Sequence, residues 1–423
     1  MKDTAYELFL VAILLSAAST FAAEPTATAA NAINALGIDL LHQSGKPGAN
    51  ALLSPYSIQS ALVMAYAGAE GATRVQMEKA LHYPNDAAEI PRSFAALRTA
   101  LEDATRKSIR EGEQLQPLAG KPDPIMLTMA NRLFGQAGYA FREPFLGLLR
   151  DNYAAPFELM DFARNPSGAT KHINTWVADQ TRQRIRDLIP DGALNELTRL
   201  VLVNAIYLKA PWADEFPGSA TKPEAFHLAA NSVLNVPTMN AKLTVGYARR
   251  GDCTFLAVPY HGGEIQFLIL LPDKADGLAD LESRLTPRLL ADCAQPKPQE
   301  VLLYLPKFKL EPPTISLGRE LQALGMKSAF DQPHGSANFD RMAPRRPDDY
   351  LYISDVFHKT FLSLDEKGTE AAAATAVTMW STNSAVRERS KPIEVRVDHP
   401  FLFAIQHRAS GTCLFLGRLS DPR

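Results

Sequence analysis

The residues of this 423-residue chain that could do hydrolytic chemistry are its serines, histidines and aspartates, the usual components of a nucleophile and its base. None of them stands in a GxSxG or HExxH motif, and the chain has neither a phosphate-binding GxxxxGK[ST] loop nor a GxGxxG fingerprint. The cysteines Cys253, Cys293 and Cys413 show no CxxC or metal-ligand spacing. The sequence therefore predicts no enzyme activity, no cofactor and no metal site, and it predicts a buried structural thiol at Cys413 rather than a disulfide.

The net charge limits which partners are expected, and the N-terminal sequence indicates the compartment. A formal net charge of -2 gives no electrostatic reason to bind nucleic acid or an anionic membrane. Lys2 precedes the apolar residues 8–18, and small residues follow, which predicts a signal peptide over residues 1–22 with cleavage after Ala22 or Ala23. The apolar run is too short to cross a bilayer. We expect the mature chain to be soluble and secreted, to the periplasm or the extracellular space.

The segment 366–376, EKGTEAAAATA, is the most unusual stretch of the chain. It is too small and too weakly polar to form a domain of its own. If it becomes a strand, alternate side chains fall on one face, and these are all uncharged: Thr369, Ala371, Ala373, Thr375, Val377 and Met379. The opposite face carries the only charge, Glu370. A flexible alanine-rich linker and a helix are the alternatives. We predict that the segment is an exposed loop in one state and a strand in another.

The elements around this segment indicate a mixed α+β domain. Residues 350–364, just before it, have the pattern of a strand, and residues 200–208 form an apolar run typical of a strand buried on both faces. Ser54 suits a helix N-cap, with Pro55 in the first turn. No internal repeat or low-complexity linker divides the chain, so residues 30–423 are predicted to form a single domain with helix-rich and strand-rich layers.

Several motifs, in order along the chain, resemble those of the serpin family. They are residues 50–58 (NALLSPYSI), 202–209 (LVNAIYLK) with Trp212 and Phe216, 365–372 (DEKGTEAA), 398–403 (DHPFLF) and 415–418 (FLGR). The resemblance covers the chain from about residue 30 onward. It implies a fold of three β-sheets surrounded by eight or nine helices, with a five-stranded central sheet and an exposed reactive-centre loop, here residues 366–391.

The resemblance also implies a function and a set of site residues. Serpins inhibit serine proteases, or sometimes cysteine proteases, as suicide substrates: the cleaved loop inserts into the central sheet while the protease is held as an acyl-enzyme. By resemblance, residues 200–208 and 350–364 are the strands that part. The shutter between them is Ser54, Ser57, Asn204 and His358, and Trp212 lies at the breach where insertion begins. The hinge residues are Glu366, Gly368, Thr369, Glu370, Ala371, Ala372, Ala373 and Ala374.

Two counts locate the reactive bond differently. Counting forward by the family pattern, with Glu366 seventeenth before the bond, gives Thr382-Asn383. Counting back from Pro400 lands near Arg389-Ser390, so this loop is longer than the family norm. Cleavage after Arg387 or Arg389 would leave roughly 15 to 20 Å of slack in the tether at about 3.3 Å per residue. A slack tether would let the protease finish hydrolysis, which favours Thr382-Asn383.

The predicted partner is a serine protease that accepts small residues, elastase-like or subtilisin-like. A bond one or two residues earlier would keep that choice at Ser381 or indicate a chymotrypsin-like protease at Trp380. We expect a monomer. The alternatives are a cysteine-protease-directed serpin and a non-inhibitory serpin that acts as a carrier, chaperone or storage protein. Non-inhibitory members typically carry bulky, charged or proline residues in the hinge, and the small residues here favour inhibition.

Overall fold

The structure is a computed structural model that describes residues 25–43, 48–86, 88–115, 124–153, 157–228, 232–347, 349–370 and 391–423. The predicted signal peptide, the alanines of the hinge and all candidate reactive bonds lie outside these ranges. Among the described residues, no helix is both long and apolar enough to cross a membrane.

Nine α-helices are present in the described ranges, in line with the eight or nine expected. They are α1 (Ala27–Gln43), α2 (Pro55–Gly68), α3 (Gly71–Ala80), α4 (Glu89–Leu115), α5 (Glu143–Tyr153), α6 (Pro166–Gln180), α7 (Leu278–Ser283), α8 (Pro287–Asp292) and α9 (Gly318–Ala323). The N-terminus of α2 forms as predicted: Ser54 is the N-cap, its side chain accepts a hydrogen bond from the Ser57 amide, and Pro55 occupies the first turn.

The described residues also form seventeen strands. The first nine are β1 (Ala51–Leu53), β2 (Met126–Gln136), β3 (Glu158–Met160), β4 (Leu200–Pro211), β5 (Lys222–His227), β6 (Val233–Arg250), β7 (Cys253–Pro259), β8 (Ile265–Pro272) and β9 (Pro298–Pro306). The others are β10 (Phe308–Leu310), β11 (Ile315–Ser316), β12 (Ile353–Thr360), β13 (Leu362–Asp365), β14 (Gly368–Thr369), β15 (Ile393–Arg396), β16 (Phe401–His407) and β17 (Thr412–Leu419).

The central sheet has five rows. In order these are β3, β2, β4, then β12 continued by β13, then β11 and β10. The row predicted over residues 350–364 is interrupted at Phe361, where β12 ends and β13 begins. β4 pairs with β12 in parallel and with β2 antiparallel. Each of its twelve residues except Lys209 is buried, which confirms a strand covered on both faces.

The other strands form one continuous sheet in the order β1-β17-β16-β8-β7-β6-β9-β15, with β5 on β6. The family resemblance implied three sheets. Two of them are joined here because β6, 18 residues long, pairs with β5 near its start, with β9 along its middle and with β7 at its end.

Two hydrophobic clusters lie on opposite faces of the central sheet. The larger packs α1, α2 and the second sheet against one face. The smaller packs α6 and the segment after it, including Ile185 and Leu188, against the other face. Successive residues of β4 alternate between them: Leu202 and Ile206 contribute to the larger cluster, and Val203 to the smaller. The three cysteines lie in the larger cluster, and each is buried and free of any disulfide.

Candidate functional site

The strands β4 and β13 are separated at one end of the central sheet, and β14 lies between them. Gly368 and Thr369 pair antiparallel with Pro211 and Ala210 of β4. On the other side, Thr369 faces Leu364 and Gly368 faces Asp365. Further along, β4 and β12 are direct neighbours. The sheet therefore holds Gly368 and Thr369 as a short extra strand and is closed beyond them, so residues 366–370 are anchored rather than exposed as predicted.

Gly368 is required by the geometry of this strand. Its φ is +144°, and a Cβ at this position would lie 2.2 Å from the carbonyl oxygen of Ala210 and 2.7 Å from the Cα of Pro211. Both atoms belong to the backbone and cannot move aside without disturbing β4. A side chain at position 368 is therefore incompatible with this pairing.

Thr369 is 1% exposed, and its side chain enters the larger core. Its Oγ1 lies 2.5 Å from the hydroxyl of Tyr260, which is fully buried. The Tyr260 ring stacks on Trp212 with centroids 4.6 Å apart and planes 4° apart. Burial raises the pKa of Tyr260, so the phenol stays neutral and pairs with the threonine hydroxyl. Thr369 is uncharged, as expected for the face of the segment that carries no charge, and in this strand that face points into the larger core.

Trp212, which directly follows β4, is hydrogen-bonded to the residues that lead into β14. Its indole Nε1 donates to the Asp365 carbonyl at 2.9 Å, and its backbone N–H donates to the Lys367 carbonyl at 2.9 Å. Two side chains hold the Glu366 carboxylate: Thr221 Oγ1 donates to it at 2.8 Å and Lys307 Nζ lies 2.7 Å away. Burial alone would raise the pKa of Glu366, but the hydrogen bonds from Lys307 and Thr221 hold it below its ordinary value.

Glu370 ends the described part of the hinge. Its N–H donates to the Ser363 carbonyl at 2.8 Å, and its φ is +48°, in the left-handed region. The side chain lies on the α6 face of the sheet and forms an ion pair with Arg184. Its carboxylate is 10% exposed, and the second oxygen has no hydrogen-bond partner. Burial raises the pKa of Glu370, and the Arg184 guanidinium offsets this only in part.

The four predicted shutter residues meet where β4 and β12 are still paired. Each of them is fully buried. His358 Nε2 accepts from the Ser54 amide at 3.1 Å, and His358 Nδ1 donates to Asn204 Oδ1. Ser54 Oγ donates to the Leu414 carbonyl at 2.6 Å, which links the cluster to the second sheet. The sequence-based grouping of these residues is thus reproduced as one hydrogen-bonded cluster.

Sequence reasoning missed one member of this cluster. Asn131 of β2 lies opposite Asn204, and its Oδ1 accepts from Ser57 Oγ at 2.9 Å. A lone asparagine inside the apolar strand pattern of residues 126–134 was the available signal. One buried donor stays unsatisfied: Asn204 Nδ2 has no partner among the described residues.

The arrangement contains no catalytic constellation. Burial lowers the pKa of His358 to about 3 and its two ring nitrogens are both occupied, so it cannot serve as a base. Within the described ranges, no three His, Cys, Asp or Glu side chains are grouped so that they could hold a metal ion. The site consists of a sheet end where β4 and β13 are separated, the hinge residues Gly368 and Thr369 paired between them, and a buried polar cluster at the junction of β4 and β12.

Comparison with known proteins identifies this geometry. The family model for the serpins, serine protease inhibitors, matches residues 31–422. A leukocyte elastase inhibitor of Bos taurus is 36% identical over 404 residues, covering 93% of this chain and 99% of the relative. An uncharacterised serpin-like protein of Thermococcus kodakarensis is 37% identical over 396 residues, covering 93% of this chain and 85% of the relative. The chain belongs to the serpin family.

A solved structure agrees with this assignment. Serpin48 of the insect Tenebrio molitor, described as a highly specific serpin, superposes with a TM-score of 0.73 at 30% identity, covering 94% of this chain and 98% of that one. The α+β serpin fold predicted from the sequence is therefore confirmed.

Proposed function

We propose that this serpin inhibits serine proteases by inserting its cleaved loop between β4 and β12. The observation that carries the proposal is the register of β14. From Thr369, six further residues along an antiparallel strand reach Thr375 while its partner on β4 moves from Ala210 to Asn204. The same six steps move the partner on the other side from Leu364 to His358.

Counting along β4 and counting along the row of β13 and β12 thus lead to Asn204 and His358, two residues that already face each other. Asn204 and His358 are partners in the parallel pairing of β4 with β12. A strand that grows from β14 therefore meets both neighbours in register, and β12 does not have to slide along β4. This match supports β14 as the start of the inserted strand.

Thr375 would arrive at the shutter with a hydroxyl group. Insertion separates Asn204 from His358 and breaks the hydrogen bond between them. The Thr375 hydroxyl, on the same face as Thr369, could accept from Asn204 Nδ2, the donor that has no partner now. A buried donor left unpaired costs about 1 to 3 kcal/mol, so this new bond would help to drive insertion.

The length of the sheet favours cleavage at Thr382-Asn383. In the same register, Met379 would lie opposite Leu200, the first residue of β4. Thr382 would then extend about 10 Å past the strand, whereas Arg389 would extend about 33 Å, at roughly 3.3 Å per residue. A short tether pulls the acyl-enzyme against the end of the sheet and disturbs its oxyanion hole. We infer that Arg387 and Arg389 are sites of simple cleavage.

The target is inferred to be elastase-like. Thr382 is a small residue, and the similarity to the leukocyte elastase inhibitor of Bos taurus supports the same class of protease. Subtilisin-like and chymotrypsin-like proteases are the next candidates. We also propose that the chain is exported after cleavage at Ala22 or Ala23, which the pattern of residues 1–23 supports, and that it acts as a monomer.

The alternative is a non-inhibitory serpin, and one experiment separates the two. Trypsin would nick the loop at Arg387 or Arg389, and thermal unfolding would be recorded before and after nicking. The inserted strand would add about ten residues paired with both neighbouring strands. At about 1 kcal/mol each, this gain of about 10 kcal/mol should raise the melting temperature by about 10 °C or more. An unchanged melting temperature would refute insertion and favour the non-inhibitory role.

Inhibition itself is tested by covalent trapping. Pancreatic elastase, subtilisin and chymotrypsin would each be mixed with the serpin and resolved on denaturing gels. We expect a stable complex with elastase and a released C-terminal peptide that begins at Asn383 by mass spectrometry. Elastase whose catalytic serine is blocked should give no complex. A trapped complex whose released peptide begins at Ser390 would overturn the assignment of the reactive bond.

A further inference from the structure

We propose that Arg184 is a positioning residue for loop insertion: it holds Glu370 so that Gly368 and Thr369 stay seated as the start of the inserted strand. The inference rests on the insertion mechanism proposed above. It adds a residue outside the hinge, the shutter and the breach, from the segment that crosses the sheet after α6.

Glu370 is held in a conformation that its backbone does not favour. A left-handed φ of +48° is unfavourable for a non-glycine residue. Its side chain is 10% exposed, and its carboxylate forms an ion pair with Arg184. Without that partner, a buried carboxylate would favour leaving the sheet for water. Because Glu370 directly follows β14, its departure would pull on the two paired residues.

Arg184 is presented by a segment that is fixed on both sides. Before it, the Gln183 N–H donates to the Ala178 carbonyl of α6 at 2.7 Å. After it, the Ile189 N–H donates to Asn174 Oδ1 at 2.8 Å, and the Asn174 amide donates back at 2.9 Å. The Arg184 guanidinium also lies over the Phe361 ring, 5.6 Å from its centroid. The arginine is therefore directed at the gap where β14 enters.

The ion pair fits the inserted state as well. One step beyond Thr369, the register places Glu370 opposite Lys209 on β4 and Ser363 on β13, with its side chain still on the α6 face. The Glu370 N–H already bonds to Ser363. Lys209 and Arg182 add positive potential around the same carboxylate. Arg184 therefore favours both the seated hinge and the growing strand over an expelled hinge.

Hydrogen exchange measures how stably Gly368 and Thr369 are paired in the sheet, and it needs no protease. In Arg184→Ala, the amides of residues 368–370 should exchange about fivefold faster than in the wild type, because a half-exposed ion pair contributes about 1 kcal/mol. Arg184→Lys keeps the charge and should restore most of the protection. Arg186→Ala is the matched control, since it removes the same charge from the same segment and Arg186 makes no described contact with Glu370. Unchanged exchange in Arg184→Ala, or an equal change in Arg186→Ala, would overturn the proposal.

The functional consequence is measured by the partition between trapping and turnover of pancreatic elastase. Slower seating should leave more time for hydrolysis, so Arg184→Ala should need about twofold to fivefold more serpin per elastase trapped, while Arg184→Lys and Arg186→Ala stay near the wild type. An unchanged ratio in Arg184→Ala would overturn the positioning role. If wild-type serpin traps no elastase at all, the inhibitory function fails, and the exchange experiment still decides by itself whether Arg184 seats the hinge.

Discussion

Acidification should weaken the closed central sheet through His358. The imidazole is fully buried, and in its neutral form Nδ1 donates to Asn204 while Nε2 accepts from the Ser54 amide. Protonation would place a second N–H against the Ser54 N–H and break that bond. Burial lowers the pKa of His358 to about 3, whereas the ordinary value in an unfolded chain is about 6.5.

The size of the effect follows from this difference in pKa. Between pH 6.5 and about 3 the unfolded chain binds a proton at His358 that the folded chain does not, so the free energy of unfolding decreases as the pH falls through this window. Above pH 6.5 the contribution is constant. At pH 5 the unfolded value lies about 1.5 units above the solution pH, which corresponds to a loss of about 2 kcal/mol.

The test compares the wild type with His358→Gln, whose amide can donate to Asn204 and accept from Ser54 but does not titrate. Unfolding in urea would be followed by tryptophan fluorescence at pH 7.5 and pH 5 for both proteins, at one fixed incubation time because the native state is expected to be a kinetic trap. Other histidines contribute equally to both proteins, so the difference between them isolates His358. We expect the wild type to lose about 2 kcal/mol more than the variant. Parallel losses in the two proteins would refute the role assigned to His358.

Three substitutions test other parts of the structure. Thr369→Arg places a charge in the larger core at a cost of several kcal/mol, so covalent complexes on denaturing gels should disappear while elastase still cleaves the loop. Gly368→Ala puts a methyl group against the Ala210 carbonyl, so hydrogen exchange at residues 368–369 should increase at least tenfold, and unchanged protection would contradict the pairing of β14. Arg418 is 4% exposed and bonded to Glu282 through both carboxylate oxygens, so Glu282→Gln should lower the free energy of unfolding by about 2 to 4 kcal/mol in a urea titration, and a loss below about 1 kcal/mol would contradict it.

Local patterns predicted much of the fold. The N-cap at Ser54 and the buried strand β4 each depend on residues close together in the sequence, where helix capping and an unbroken apolar run decide the structure. Motif order identified the family. These features agree with the structure because the local conformational preference of the residues and the burial of their side chains favour the same conformation.

Long-range pairing explains what the sequence did not show. Nothing near Arg184 indicates that it contacts Glu370, because the contact depends on how the segment after α6 crosses the sheet. Asn131 joins the shutter only through the register of β2 on β4. The seated hinge was also unexpected, since a small, weakly polar segment is compatible with both a loop and a strand, and only the separation of β4 from β13 selects the strand for Gly368 and Thr369.

The alanines of the hinge have a physical explanation in the two faces of the sheet. The smaller hydrophobic cluster contacts Val203 and Ala205 of β4 and Phe357 of β12 from the α6 side, so it covers the junction that must open. If the proposed strand grows in the register set by β14, the first three side chains on this face after Glu370 would be Ala372, Ala374 and Ala376. Larger side chains would have to displace α6, at a cost of about 1 to 3 kcal/mol for each overpacked position. Methyl groups instead fit beneath a helix that stays near the sheet, so the strand that arrives there needs small residues on this side and a hydroxyl only at the shutter.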